Sequence, residues 1–199
     1  MKRVGLLGGS FNPAHAGHRH ISVEALRLLG LDAVWWLVSP QNPLKSPAGM
    51  APLAARLGSA RAAANHPRIR AMAIEAELGT RYAVDTVAAL QRLHPDIAFI
   101  WLMGADILPE LHRWQRWRRF MQLLPIAVLA RPRYVGAALV SPAMAWARRW
   151  RRPAGGAAGW TTWPLPAIVV LDIRQTALSA TAMRAAEPDW AAGFEDETR

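Results

Sequence analysis

An α/β fold, built on a parallel sheet with helices on both faces, is predicted by three features of the sequence. Strand-like apolar runs alternate with stretches of helical periodicity along most of the chain. Those runs are continuously apolar rather than alternating, as strands buried on both faces are. The candidate motifs fall just after the runs, and open parallel sheets bind ligands outside the carboxyl ends of their strands. With 199 residues, 52% of them apolar and ten of them tryptophan, the chain suits one well-cored domain.

The elements follow in order. "RVGLLG" (3–8) is short, apolar and closed by Gly-Gly, which makes it the first strand. From Gly17 to Leu29, the residues Ile21, Ala25, Leu28 and Leu29 recur at helical spacing, and Gly30 closes the run. "AVWWLVSP" (33–40) is the second strand, ended by Pro40, and "QNPLKSPAGMAP" (41–52) is a loop. A helix is expected over 53–65, a short strand over 69–74 and a third helix over 82–93. "IAFIWLMG" (97–104) is a strong buried strand, followed by a helical stretch over 105–124 interrupted near Trp114. "IAVLARP" (126–132) and "AIVVLDI" (167–173) are the remaining strands, and 179–186 is a short terminal helix. No repeat or domain boundary is visible. Residues 1–199 read as a single domain with a Trp- and Arg-rich insertion at 141–166, expected to be a helix followed by a loose, solvated loop.

Composition narrows the function classes. Cysteine is absent, which excludes a disulfide framework and a thiolate metal site and fits a reducing, cytoplasmic setting. The start, MKRVGLLGG, lacks the long apolar region and cleavage site of a signal peptide. No apolar run reaches the roughly twenty residues of a transmembrane helix, so no membrane partner is expected. The net charge of +10 is carried by arginine, since Lys2 and Lys45 are the only lysines. It reflects either a GC-rich coding bias or an anionic partner such as a polyphosphate or a nucleic acid.

The stretch "GLLGGSFNPAHAGHRHIS" (5–22) carries the chemistry. A strand that ends in Gly-Gly and re-enters as a helix lets backbone approach an anion and aims free N–H groups at it. The spacing is neither a GxGxxG fingerprint nor a Walker loop. His15 and His18 lie three apart at the helix start and can face the same way. They read as helix caps, as a metal pair lacking a third ligand, or as donors to a phosphate, and the strand–glycine–helix setting favours the last. His20, two residues further on, belongs to another helix face and reads as structural.

"GGSFNPAHAGH" resembles the GxFxPxHxGH motif of the nucleotidyltransferase family with HxGH motifs. "LSATAMR" (178–184) resembles that family's second motif, (I/L)S(A/S)TxxR. The resemblance implies a Rossmann-like fold of nucleotidyltransferase type and transfer of a nucleotidyl group from a nucleoside triphosphate. It implies that His15 and His18 are catalytic and contact the triphosphate. Gly8, Gly9, Ser10 and Phe11 would form the turn that holds the acceptor phosphate and the nucleotide, Gly17 would also bind ATP, and Ser179, Thr181 and Arg184 would cradle its phosphates.

Between the two motifs the chain is similar to the nicotinate-nucleotide adenylyltransferases. "VSPQNPLK", "RYAVDTV" and "MGADILPELHRWQRW" carry the likeness, with Asn12, Leu44 and Ala83 as departures from the usual pattern. By that likeness Lys45 pairs the acceptor phosphate, and Asp85 and Thr86 meet the nicotinate carboxylate region. Gly104 and Asp106 face the ribose or adenosine, and Trp114 stacks on the pyridine ring while Trp117 covers the core. Arg131, with Arg133, assists the phosphates. The expected reaction moves AMP from ATP to nicotinate mononucleotide, releasing pyrophosphate, in NAD biosynthesis. Mg²⁺ is expected with the ATP, and no protein metal site is. Nicotinamide mononucleotide and phosphopantetheine are the alternative acceptors, and a homo-oligomer stays open. In a different class, a basic nucleic-acid-binding protein could use the Arg/Trp segments, although no RNP, KH or zinc pattern supports one.

Overall fold

The computed structural model describes residues 1–41, 44, 47–130, 136, 140–173 and 180–194. The chain runs β1 (Lys2–Gly9), α1 (Ala16–Leu28), β2 (Ala33–Val38), α2 (Leu53–Ala64), β3 (Ile69–Met72), α3 (Ile74–Leu78), α4 (Ala83–Leu93) and β4 (Ile97–Gly104). A 3-10 helix (Leu108–Arg113), α5 (Trp117–Leu123), β5 (Ile126–Ala130) and α6 (Pro142–Ala147) follow. Then come β6 (Arg151–Arg152), 3-10 turns over Ala154–Thr162, β7 (Ile168–Asp172), α7 (Ala180–Ala186) and a last 3-10 segment, Trp190–Phe194.

The seven strands form one parallel, Rossmann-like sheet in the order β3-β2-β1-β4-β5-β7-β6. Successive side chains on a strand point to opposite faces, so each apolar run feeds two cores. On β4, Phe99, Trp101 and Met103 join α4, α5 and α6 on one face. Its Ile100 and Leu102 join α1, α2 and Trp160 on the other. The chain order reverses between β1 and β4. β1 continues outward through β2 and β3, and β4 continues the opposite way through β5 and β7. Strands on either side of such a reversal send their loops apart and leave a crevice at their carboxyl ends, where ligands of this architecture lie.

Two segments depart from expectation. The strand over 69–74 stops at Met72, and Ile74 opens α3, a helix of five residues that is too short to show a period. Segment 141–166 begins as the expected helix, with the Ser141 hydroxyl accepting from the Met144 amide. It does not continue as a loose loop. β6 adds an edge strand to β7, and the 3-10 turns carry Trp160 into the core, where it is 1% exposed. The Trp160 indole N–H donates to the Leu29 carbonyl at 3.0 Å, and the Arg3 guanidinium lies 5.6 Å from its ring centre. Trp is rarely buried without a partner for its N–H, and here a carbonyl just past α1 supplies one. Within the same segment, the Arg149 guanidinium lies 4.4 Å from the Trp150 ring centre, a cation–π contact.

Candidate active site

The turn from β1 to α1 is built by packing first. A Cβ on Gly8 would lie 2.7 Å from the Trp101 ring, so this glycine gives a core indole its place beneath the strand end. A Cβ on Gly9 would come within 3.3 Å of the Phe11 ring. Phe11 itself takes φ 48, a left-handed conformation that costs a non-glycine residue roughly 1–2 kcal/mol. Its ring offsets that cost by stacking on Trp36 at 5.1 Å and 19°, with His18 on its other contact at 4.8 Å. Trp36 is fixed in turn by its N–H donating to the Ser22 hydroxyl at 2.7 Å, which donates to the His18 carbonyl at 2.9 Å.

The two histidines cap α1 reciprocally. His15 Nδ1 accepts from the Gly17 amide at 3.1 Å, and His18 Nδ1 accepts from the His15 amide at 3.2 Å. A capping arrangement of this kind satisfies amides that a helix start leaves open. It also settles the tautomer. With Nδ1 accepting, a neutral imidazole carries its proton on Nε2, so both rings are Nε2–H donors. Their centres lie 4.0 Å apart. Capping and phosphate donation therefore use opposite nitrogens, and the two sequence readings are compatible. Just upstream, the Ser10 hydroxyl is buried with no hydrogen-bond partner among the described residues. A buried hydroxyl left unmade is costly, and a strand-end ligand oxygen would satisfy it.

The turn is held from two directions. Arg184 on α7 donates to the Asn12 carbonyl at 2.6 Å, which brings the second motif onto the first across the whole chain. The Asn12 side chain donates to the Gly49 carbonyl at 2.8 Å and accepts from the Ala51 amide at 3.1 Å, so this departure from the family pattern is an anchor. Arg56 on α2, 1% exposed, was not singled out by the sequence. Its guanidinium donates to the carbonyls of Ser10 (2.8 Å), Ser39 (2.6 Å), Pro40 (2.8 Å) and Ala51 (2.9 Å). One buried cation thus ties the ends of β1 and β2 together. Burial lowers its pKa, yet an arginine starts so high that it stays charged.

Across the crevice, a Cβ on Gly104 would overlap the Asp106 carboxylate, so the Gly-x-Asp spacing lets an exposed acid fold back on the end of β4. Trp114 is half-buried and meets Trp101 edge-on at 6.0 Å and 83°, with Phe120 at 5.5 Å. Trp117 is half-buried too, but it faces Trp146 at 5.2 Å, away from that cluster's indole. Asp85 is bound through both oxygens by Arg116, at 2.6 and 2.7 Å. Thr86 is fully buried, and its hydroxyl lies 3.2 Å from the Tyr82 carbonyl and 2.8 Å from the Thr80 hydroxyl. As the chain stands here, Thr86 offers no surface to a ligand, and its role is to shape the start of α4. Lys45, Arg131, Arg133 and Ser179 lie outside the described residues, and of Thr181 the backbone in α7 is described.

This geometry coincides with independent likenesses. The cytidylyltransferase-like family matches residues 6–186. A protein of Erythrobacter litoralis named "Probable nicotinate-nucleotide adenylyltransferase" is 54% identical over 188 residues, which cover 94% of this chain and 86% of that one. One of the same name from Parvibaculum lavamentivorans is 54% identical over 182 residues, covering 92% and 90%. Among solved structures, Plasmodium falciparum nicotinic acid mononucleotide adenylyltransferase complexed with NaAD superposes with a TM-score of 0.67 at 14% identity, over 93% of this chain and 83% of that chain. The last likeness speaks for the fold, and the first three for descent. The chain is an enzyme of the cytidylyltransferase-like nucleotidyltransferases and belongs, among them, to the nicotinate-nucleotide adenylyltransferase family.

Proposed function

We propose that this chain transfers AMP from ATP to nicotinate mononucleotide, giving nicotinate adenine dinucleotide and pyrophosphate, as a cytoplasmic step of NAD biosynthesis. The observation that carries the reading is the junction of the two motifs. His15 and His18, held as Nε2–H donors at the end of β1, share one turn with Arg184, which arrives from the far end of the chain. Donors and a guanidinium around one strand end suit the oxygens of a triphosphate.

In this mechanism an oxygen of the acceptor's 5′-phosphate attacks the α-phosphorus of ATP in line. The bond from the α-phosphorus to the bridging oxygen breaks, and pyrophosphate leaves. The protein positions the two substrates and neutralises developing charge, without a covalent nucleophile. His15 and His18 donate to the oxygens that gain charge, and the Ser10 hydroxyl supplies a further donor. In this reading Asp106 takes the ribose of the adenosine, and Trp114 lines the pyridine side. Mg²⁺, expected with the ATP, would be carried by the phosphate oxygens and would offset their charge.

Pyrophosphate release from ATP, measured with nicotinate mononucleotide, nicotinamide mononucleotide and phosphopantetheine, tests the assignment. The expected order has the acid first by at least tenfold in kcat/KM. A preference for phosphopantetheine, or no release with any mononucleotide, would sink it.

A further inference from the structure

Glu75 is the only buried acid among the described residues, at 7% exposure, and no motif points to it. It sits in the first turn of α3. Its Oε1 lies 3.5 Å from the Thr86 hydroxyl of α4, and its carboxyl also takes a hydrogen bond from the Ser39 side chain at the end of β2. Its Oε2 is buried with no hydrogen-bond partner among the described residues. Thr86 extends the chain of polar groups to Thr80 at 2.8 Å. A cavity of about 230 Å³ opens beside this network, lined by Pro40, Gln41, Glu75, Thr80 and Arg81. Arg81 is the charged group that shares the cavity, while Asp85 on α4 is engaged by Arg116.

A leucine would fill this place at less cost, because a buried carboxyl whose partners are two hydroxyls loses its hydration without gaining a counter-ion. What the carboxyl supplies is reach. It touches Ser39, the residue just past β2, and the first turn of α4 at once. We propose that Glu75 is a positioning residue for the acceptor: by bridging Ser39 and Thr86 it sets the gap between the end of β2 and the start of α4, the walls that receive the acceptor's ring. This inference rests on the acceptor site assigned under the proposed function. Burial also raises the carboxyl's pKa, against the opposing pull of its hydrogen bonds from Ser39 and Thr86.

The test is steady-state kinetics with each substrate varied in turn. Glu75→Leu is expected to raise KM for the mononucleotide roughly tenfold while kcat and KM for ATP stay within about twofold. Glu75→Gln, which keeps length and hydrogen bonding, is expected to restore that KM to within about threefold of wild type. Where Glu75→Leu fails to fold, Ser39→Ala is read instead, with an expected rise of about threefold in the same KM alone. An unchanged mononucleotide KM, or equal losses toward both substrates, overturns the proposal. Absence of mononucleotide turnover in the wild-type chain would instead overturn the assigned reaction, so the two failures are distinguishable.

Discussion

The two walls of the crevice are held by different physics. On the β1 side, the histidine turn is fixed by backbone hydrogen bonds, by the Phe11–Trp36 stack and by Arg56 on four carbonyls. On the α4 side, a buried carboxyl bridges two hydroxyls, and an exposed ion pair, Arg116–Asp85, closes the rim. The first wall is therefore held by contacts within the chain itself. The second is adjustable by pH and salt. A reaction that needs one fixed charge-stabilising site and one site that discriminates among related acceptors is served by that division.

The contrast can be broken from the rigid side first. Arg56→Met would leave the strand-end carbonyls of Ser10, Ser39 and Pro40, and that of Ala51 ahead of α2, without their donor, and unmade buried groups cost about 1–3 kcal/mol each where water cannot reach. We expect a loss of at least ~3 kcal/mol in denaturant unfolding. A Tm within a degree or two of wild type would show that the two strand ends do not depend on it. Next, His18→Ala should lower kcat by roughly 10²-fold or more, from lost transition-state stabilisation. The fold should survive, because the Phe11–Trp36 stack and the Arg184 contact remain. Wild-type-like turnover in that variant would remove His18 from the chemistry.

The soft side predicts smaller, condition-dependent effects. The folded-state pKa of Glu75 is raised by burial, so its stabilising contribution is present below the unfolded-state value and lost as pH rises through the folded one. Glu75→Gln lacks that loss. Its stability relative to wild type should therefore improve as pH rises above the ordinary carboxylate range, read from urea unfolding at each pH. Parallel pH curves for the two proteins would mean that the carboxyl is not desolvated as its burial implies. Smallest of all, Asp85→Asn should cost under ~1 kcal/mol, since both partners of the ion pair are about half-exposed, and the cost should shrink in high salt.

What could be read from sequence follows the range of the contacts. The histidine turn was legible because its hydrogen bonds join residues two or three apart, and such patterns survive as a local string. The strands β1, β2, β4 and β5 were legible because burial on both faces writes apolar runs. Arg56 was not. Its acceptors lie up to 46 residues away, and on the same helix Arg61 is exposed, with nothing in "LAARLGSARAAA" to separate the two. Trp160 was missed for the same reason. Its carbonyl partner is 131 residues upstream, and the glycines around it suggest a loop wherever no partner is known. Thr86 shows the converse: the string that surrounds it reads as a contact site, while the structure encloses its hydroxyl among Tyr82, Thr80 and Glu75.

The hydrogen bond from Arg184 to the Asn12 carbonyl spans 172 positions of sequence. During synthesis the sheet can form from its centre outward as β2 and then β4 reach β1, because each pairing waits only for the next strand. The turn from β1 to α1 waits longer, because the Arg184 guanidinium that braces it follows every strand of the sheet in the sequence. The sheet and the capped α1 can therefore be in place before the contact that fastens α7 onto that turn.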